Sequence, residues 1–200
     1  MSPSDAKPVA LVVGGGNGIG ETTARLMASR GWRIAIADLD AARARSIAGE
    51  LDGPGYTVDI GRSESIGALA DAVAADLGSV NSLVVTAVFQ DNVPPDELPV
   101  AEWERIVRIN LTGTYLLNRA FGPEMARSRN GSIVNVASIA AIGSMPVYAY
   151  GTSKSAVVAL TRNLAGEWGR AGVRVNCVSP GSTLVPRVVQ RIESGRYAAH

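Results

Sequence analysis

Two hundred residues, 46% of them hydrophobic, suit one globular domain over residues 1–200 with a substantial core. Nineteen basic against eighteen acidic side chains leave a net charge of +1, which gives no broad electrostatic footprint for nucleic acid or an anionic membrane and favours a small ligand as partner. The single cysteine, Cys177, excludes an intrachain disulfide framework and falls in an apolar run where core packing is expected; no basic leader or membrane-length apolar stretch is present, which points to the cytoplasm.

Val9 to Val13 reads as a buried strand, followed by the glycine-rich stretch Gly14-Gly-Gly-Asn-Gly-Ile-Gly20 and a helix over Glu21 to Arg30 that Gly31 stops. Trp32 to Asp38 is the second strand, Ala41 to Glu50 a helix, Tyr56 to Asp59 a short third strand and Ser63 to Asp76 a helix. Ser82 to Ala87 is the fourth strand; a proline-containing loop leads to an interrupted helix from Ala101 toward Met125. Ser132 to Ala137, a helix from Tyr150 to about Trp168, and Val173 to Val178 complete the regular alternation, while Thr183 to Ile192 can begin a helix and Glu193 to His200 offers no final strand. The cadence predicts an α/β fold, a Rossmann-like doubly wound parallel sheet flanked by helices, with six visible strands.

A glycine-rich turn between a strand and a helix lets the backbone approach a phosphate while helix-terminal amides donate to it, so Gly14, Gly18 and Gly20 are candidate cofactor contacts; an unliganded tight turn is the alternative. Asp38 ends the second strand, where its carboxylate can accept from an adenosine ribose and repel a 2′-phosphate; NAD is therefore favoured over NADP. An ordinary helix cap is the other reading of Asp38, and Arg43 and Arg45 can approach from the next helix. At the far end, Tyr150 and Lys154 stand one helical turn apart, twelve residues after Ser138, and can place a phenol and an ammonium on one face for proton transfer.

The glycine spacing, joined to Asn110 in Arg-Ile-Asn-Leu-Thr-Gly, Ser138 and Tyr150-Gly-Thr-Ser-Lys154, resembles the short-chain dehydrogenase/reductase family over essentially the whole sequence. The resemblance implies an enzyme that interconverts a secondary alcohol and a carbonyl by hydride transfer with NAD. Tyr150 would be the acid/base, Lys154 would lower its pKa and hold the cofactor ribose, Ser138 would orient the substrate oxygen, and Asn110 would support a water-mediated proton route. It further assigns Asn17, Ile19, Asp59, Ile60, Ala87, Pro180, Gly181 and Thr183 to cofactor contact, and Met145, Val147, Tyr148 and Leu184 to an apolar substrate pocket. Homodimers or homotetramers are implied through helices near 102–125 and 153–168.

Three departures from the family pattern stand out. Val13 replaces the threonine that opens its glycine signature, and Val85-Thr86-Ala87-Val88 occupies the place of Asn-Asn-Ala-Gly, removing an amide and adding branched bulk beside the cofactor. The family's usual C-terminal portion, with substrate-covering helices and a seventh strand, has no counterpart here, so the expected domain is incomplete at that end. A catalytically weak nucleotide-binding or assembly protein is the alternative function. A Ser/His/Asp hydrolase is disfavoured because the only histidine is His200, and no clustered ligand set for a metal is present.

Overall fold

The computed structural model describes residues 7–90 and 93–194; of the stretch 193–200, expected to offer no final strand, residues 195–200 lie outside the described residues. Six parallel strands, β1 (Val9–Val13), β2 (Arg33–Asp38), β3 (Gly55–Thr57), β4 (Ser82–Val85), β5 (Gly131–Val136) and β6 (Val173–Val178), form one sheet in the order β3-β2-β1-β4-β5-β6. Around it lie α1 (Gly18–Ser29), α2 (Ala41–Glu50), α3 (Ser63–Leu77), α4 (Val100–Val107), α5 (Thr114–Ser128), α6 (Tyr148–Gly169) and α7 (Pro186–Glu193). This is the Rossmann-like doubly wound arrangement, with the strand order reversing between β1 and β4.

β1, at the centre of the sheet, is apolar on every residue because helices cover both faces. Ala10, Val12, Ile34 and Ile36 pack with Ala24 of α1 and Ala44, Ile47 and Ala48 of α2. The alternate residues Val9, Leu11, Val13, Ala35 and Ala37 face the other core, with Leu69 and Val73 of α3 and Leu117, Phe121 and Met125 of α5. Burying a side chain such as Leu11 contributes about 1.5–3 kcal/mol before the entropy of ordering it. Between β5 and the helices, Asn135 donates to Thr161 Oγ1 at 3.1 Å and exchanges amide hydrogen bonds with Asn118 at 2.9 and 3.2 Å. These buried amides are paired, which fixes β5 against α5 and α6.

Several boundaries move. The expected helix over Ala101 to Met125 is α4 and α5 joined through a π-helical turn at Arg108–Gly113. The last helix begins only at Pro186, whose fixed φ and missing amide suit a first helical position. Cys177 is half-buried rather than part of the core, since β6 is an edge strand of the described sheet. No described helix is long and apolar enough to cross a membrane.

Candidate active site

Register brings the ends of three strands together: Val13 lies beside Ala37 on one side and Val85 on the other. The chain leaves β1 at Gly14, whose φ of 83° a side chain rarely adopts, and turns again at Gly18 with φ 56° to enter α1. A Cβ on Gly14 would collide with the Ala87 backbone, and one on Gly20 with the Gly14 carbonyl. The turn therefore requires glycine for close approach, leaving the amino end of α1 open to an anion.

Asp38 is anchored by two backbone amides, Gly16 N at 2.9 Å and Asp40 N at 3.0 Å. Asp40, not Asp38, caps α2 by accepting from Ala42 and Arg43 at 3.0 and 3.1 Å, which removes the capping alternative for Asp38. Arg43 Nε stands 3.4 Å from the Asp40 cap, and Arg43 lines the same cleft as Asp38. A cleft of about 740 Å³ runs over Gly14, Gly16, Asn17, Asp38, Asp59, Ile60 and Ala87. Asp59 accepts from Gly61 N at 2.9 Å while its own amide donates to Ser65 Oγ at 3.0 Å, so its side chain is held at the cleft wall. Gly18, Ile19 and Thr183 line a second hollow of about 330 Å³ on the other side of the segment Val185–Pro186.

The reacting end is built on α6 and the strand ends beside it. Lys154 is buried and donates from Nζ to the Val136 carbonyl at 2.7 Å, with the ammonium 5.7 Å from the centre of the Tyr150 ring. Burial draws its pKa down from 10.5 to about 8, and the nearby Cys177 thiol pulls weakly the other way. Asn110 sits in the π-helical turn, fully buried, and uses its amide as a clamp: Nδ2 donates to Phe89 O at 2.8 Å and Ser153 Oγ at 3.0 Å, and Oδ1 accepts from Phe89 N at 2.9 Å. Ser153 in turn donates to the Tyr150 carbonyl at 2.7 Å. Asn110 is thus tied through one hydroxyl to the helix turn that carries Tyr150 and Lys154.

Ser138 opens a short turn at Ile139–Ala141 and its Oγ accepts from Ala140 N at 3.2 Å, which leaves the hydroxyl hydrogen available to donate. Pro180 and Gly181 lie alongside, with the Pro180 carbonyl accepting from Ile139 N at 3.0 Å. Of the expected apolar pocket residues, Met145, Tyr148 and Leu184 are exposed while Val147 is buried as packing.

Sequence reasoning missed several neighbours. Leu39, Val58 and Arg105 also line the large cleft, with the Arg105 guanidinium 4.0 Å above the Phe89 ring. Thr86 is the more consequential omission: its hydroxyl lies 2.9 Å from Val13 O and 3.0 Å from Gly14 O, supporting the turn from the fourth strand. Its signal in the sequence is the pairing of a hydroxyl-free Val13 with a threonine at position 86.

A glycine turn at the point of strand-order reversal, a carboxylate on the neighbouring strand tip and a buried lysine beside a tyrosine are thus features of one α/β domain. The sequence model described as short chain dehydrogenase matches residues 8–195, and the chain belongs to that family of oxidoreductases. It is 42% identical to a D-threitol dehydrogenase of Mycolicibacterium smegmatis over 88% of this chain and 70% of that protein. A cis-4-hydroxycyclohexanecarboxylate dehydrogenase of Sinomonas cyclohexanicum is 37% identical over 94% of this chain and 78% of its own length. Among solved structures, one named ribose-5-phosphate isomerase from Brucella melitensis 16M superposes with a TM-score of 0.90 at 44% identity, covering 94% of this chain and 73% of that one.

Proposed function

We propose that the protein interconverts a secondary alcohol and a carbonyl with NAD as the preferred cofactor and Tyr150 as the acid/base. The observation that carries this reading is the buried Lys154 ammonium beside the Tyr150 ring on α6, at the same sheet end as the glycine turn. The residues present fit a dinucleotide: glycine at 14, 16 and 20 lets the turn pack directly on Ala87, Asp38 and the Gly14 carbonyl, and a cleft runs from Gly14 and Gly16 past Asp38 to Asp59 and Ile60.

On this reading Gly14, Asn17, Gly18, Ile19 and Gly20 hold the phosphates, Asp38 the adenosine ribose, and Asp59 and Ile60 the adenine. Ala87, Tyr150, Lys154, Pro180, Gly181 and Thr183 frame the nicotinamide half. When bound, NAD would supply the hydride acceptor for oxidation at the alcohol carbon, and NADH the donor for the reverse reduction of a carbonyl. Ser138 donates to the substrate oxygen and aligns it with Tyr150. In oxidation the Tyr150 phenolate takes the hydroxyl proton, and in reduction the phenol gives a proton back to the same oxygen. Lys154, positively charged below about pH 8, favours the phenolate. The Asn110 clamp keeps the helix turn carrying both residues at a fixed height and supports the water-mediated proton route to Lys154.

The names of the two relatives, one for a polyol and one for a ring-borne alcohol, suit a secondary alcohol as the shared reacting group. Met145, Tyr148 and Leu184 supply apolar wall for its carbon skeleton. A cytoplasmic homodimer or homotetramer joined through α4, α5 and α6 completes the proposal; a strictly monomeric species at micromolar concentration in sedimentation would rule out the association.

Parallel NADH and NADPH fluorescence titrations, followed by a panel of secondary alcohols and carbonyls, test the function. Saturable NADH preference with turnover on the panel is expected. Binding without any turnover, in a chain whose Val88 side chain lines the cleft, would instead support a nucleotide-binding or assembly role.

A further inference from the structure

We propose that Thr86 is a positioning residue for the cofactor turn, supplying from β4 the hydroxyl that the β1 end lacks. Val13 carries no hydroxyl to brace the glycine turn, and Val85, where an amide would bridge strands, is buried as core. The Thr86 side chain fills both gaps. Its Oγ1 lies between the carbonyls of Val13 and Gly14, at 2.9 and 3.0 Å, while the Thr86 and Ala87 amides donate to Val13 O at 2.8 and 3.1 Å. Val13 O is thereby surrounded by three donors from one neighbouring strand end. With a single hydroxyl proton, Thr86 shares its hydrogen bond between the two carbonyls, and this geometry fixes the peptide plane at which the chain turns away from β1.

Space around that hydroxyl is as restrictive as its bonding. A Cβ on Gly14 would lie 2.7 Å from Thr86 Oγ1, and one on Gly20 would lie 2.6 Å from it. The hydroxyl therefore packs against both the first and last glycines of the turn, so a change at Thr86 is felt where the backbone must approach a phosphate. Aiming those amides before a ligand arrives lowers the ordering cost of binding. Thr86 acts through Gly14 and Gly20 and takes no part in proton transfer.

The inference rests on the dinucleotide reading, and its test separates the two. Thr86→Val keeps the shape and deletes the hydroxyl, while Thr86→Ser keeps the hydroxyl. Amide hydrogen exchange on the cofactor-free chain should show faster exchange at Gly14 and Gly15 in Thr86→Val, both of which donate to the Ala37 carbonyl, and near-wild-type exchange in Thr86→Ser. NADH affinity should fall about tenfold in Thr86→Val and recover in Thr86→Ser, with turnover at saturating cofactor unchanged in both. Equal exchange in all three proteins would overturn the clasp, as would equal NADH affinity. A wild-type chain that binds neither NADH nor NADPH would overturn the dinucleotide reading, and the exchange contrast alone would then decide the clasp.

Discussion

Burial holds the Lys154 pKa near 8, so between pH 8 and about 10 the unfolded chain keeps a proton there that the folded chain has released. Stability of the cofactor-free protein should consequently rise with pH across that window and be lost as pH falls back through 8. Thermal melts of wild type and Lys154→Met at pH 7.5, 8.5 and 9.5 test this, because the variant should lack the increment. The window closes near pH 10, where Tyr56, whose phenol is pushed above its ordinary value by burial and by Asp76, favours the unfolded state on ionisation. Tyr150→Phe should reduce turnover by about a thousandfold and leave NADH binding within about twofold, read from steady-state rates and titration. Asp38→Ala should narrow the preference for NADH over NADPH and also weaken both ligands, since the same carboxylate anchors Gly16. Competition titrations distinguish that outcome from a pure specificity change. The sequence makes the residue types at these sites legible, yet it could not show that Asp38 has two backbone partners, that Asn110 clamps Phe89, or that Ser153 links Asn110 to Tyr150. Each depends on contacts between segments far apart in the chain.

Among the elements, β1, β2 and β4 were readable because a strand covered on both faces is a short continuous apolar run. The π-helical turn at Arg108–Gly113 was not, since one extra residue per turn barely disturbs a helical apolar pattern. Its value to the site lies in Gly113, where any Cβ would press within 2.5 Å of the Ile60 carbonyl and push α5 away from the cleft wall. The start of α7 at Pro186 was blurred by the polar loop before it, and the contact of Val185 with Gly18 depends on tertiary packing. Replacing Asn135 by Leu should destabilise the fold by about 1–3 kcal/mol in urea denaturation, because the Asn118 amide on α5 loses its buried partner on β5. A loss well below 0.5 kcal/mol would mean that the amide pair contributes little to holding β5 against α5.

For the molecule as a whole, the proposed cofactor would bind the folded state alone, so NADH at about a hundred times its dissociation constant should add about 2.7 kcal/mol of stability. A rise of several degrees in Tm with NADH, and a smaller one with matched NADPH, is the expected result by scanning fluorimetry. The strand order brings a timing constraint with it. Val13 and Thr86 are separated by 73 positions in the chain, and β1 must dock on β4 before they meet. Nascent chain carrying only the first two strands has the glycine run and its contacts to Ala37 and Asp38, but lacks the Thr86 and Ala87 side that closes the turn. Cofactor should therefore act on this protein as a brake on unfolding rather than an aid to folding: refolding rates would stay level as NADH is added while escape from the native state slows.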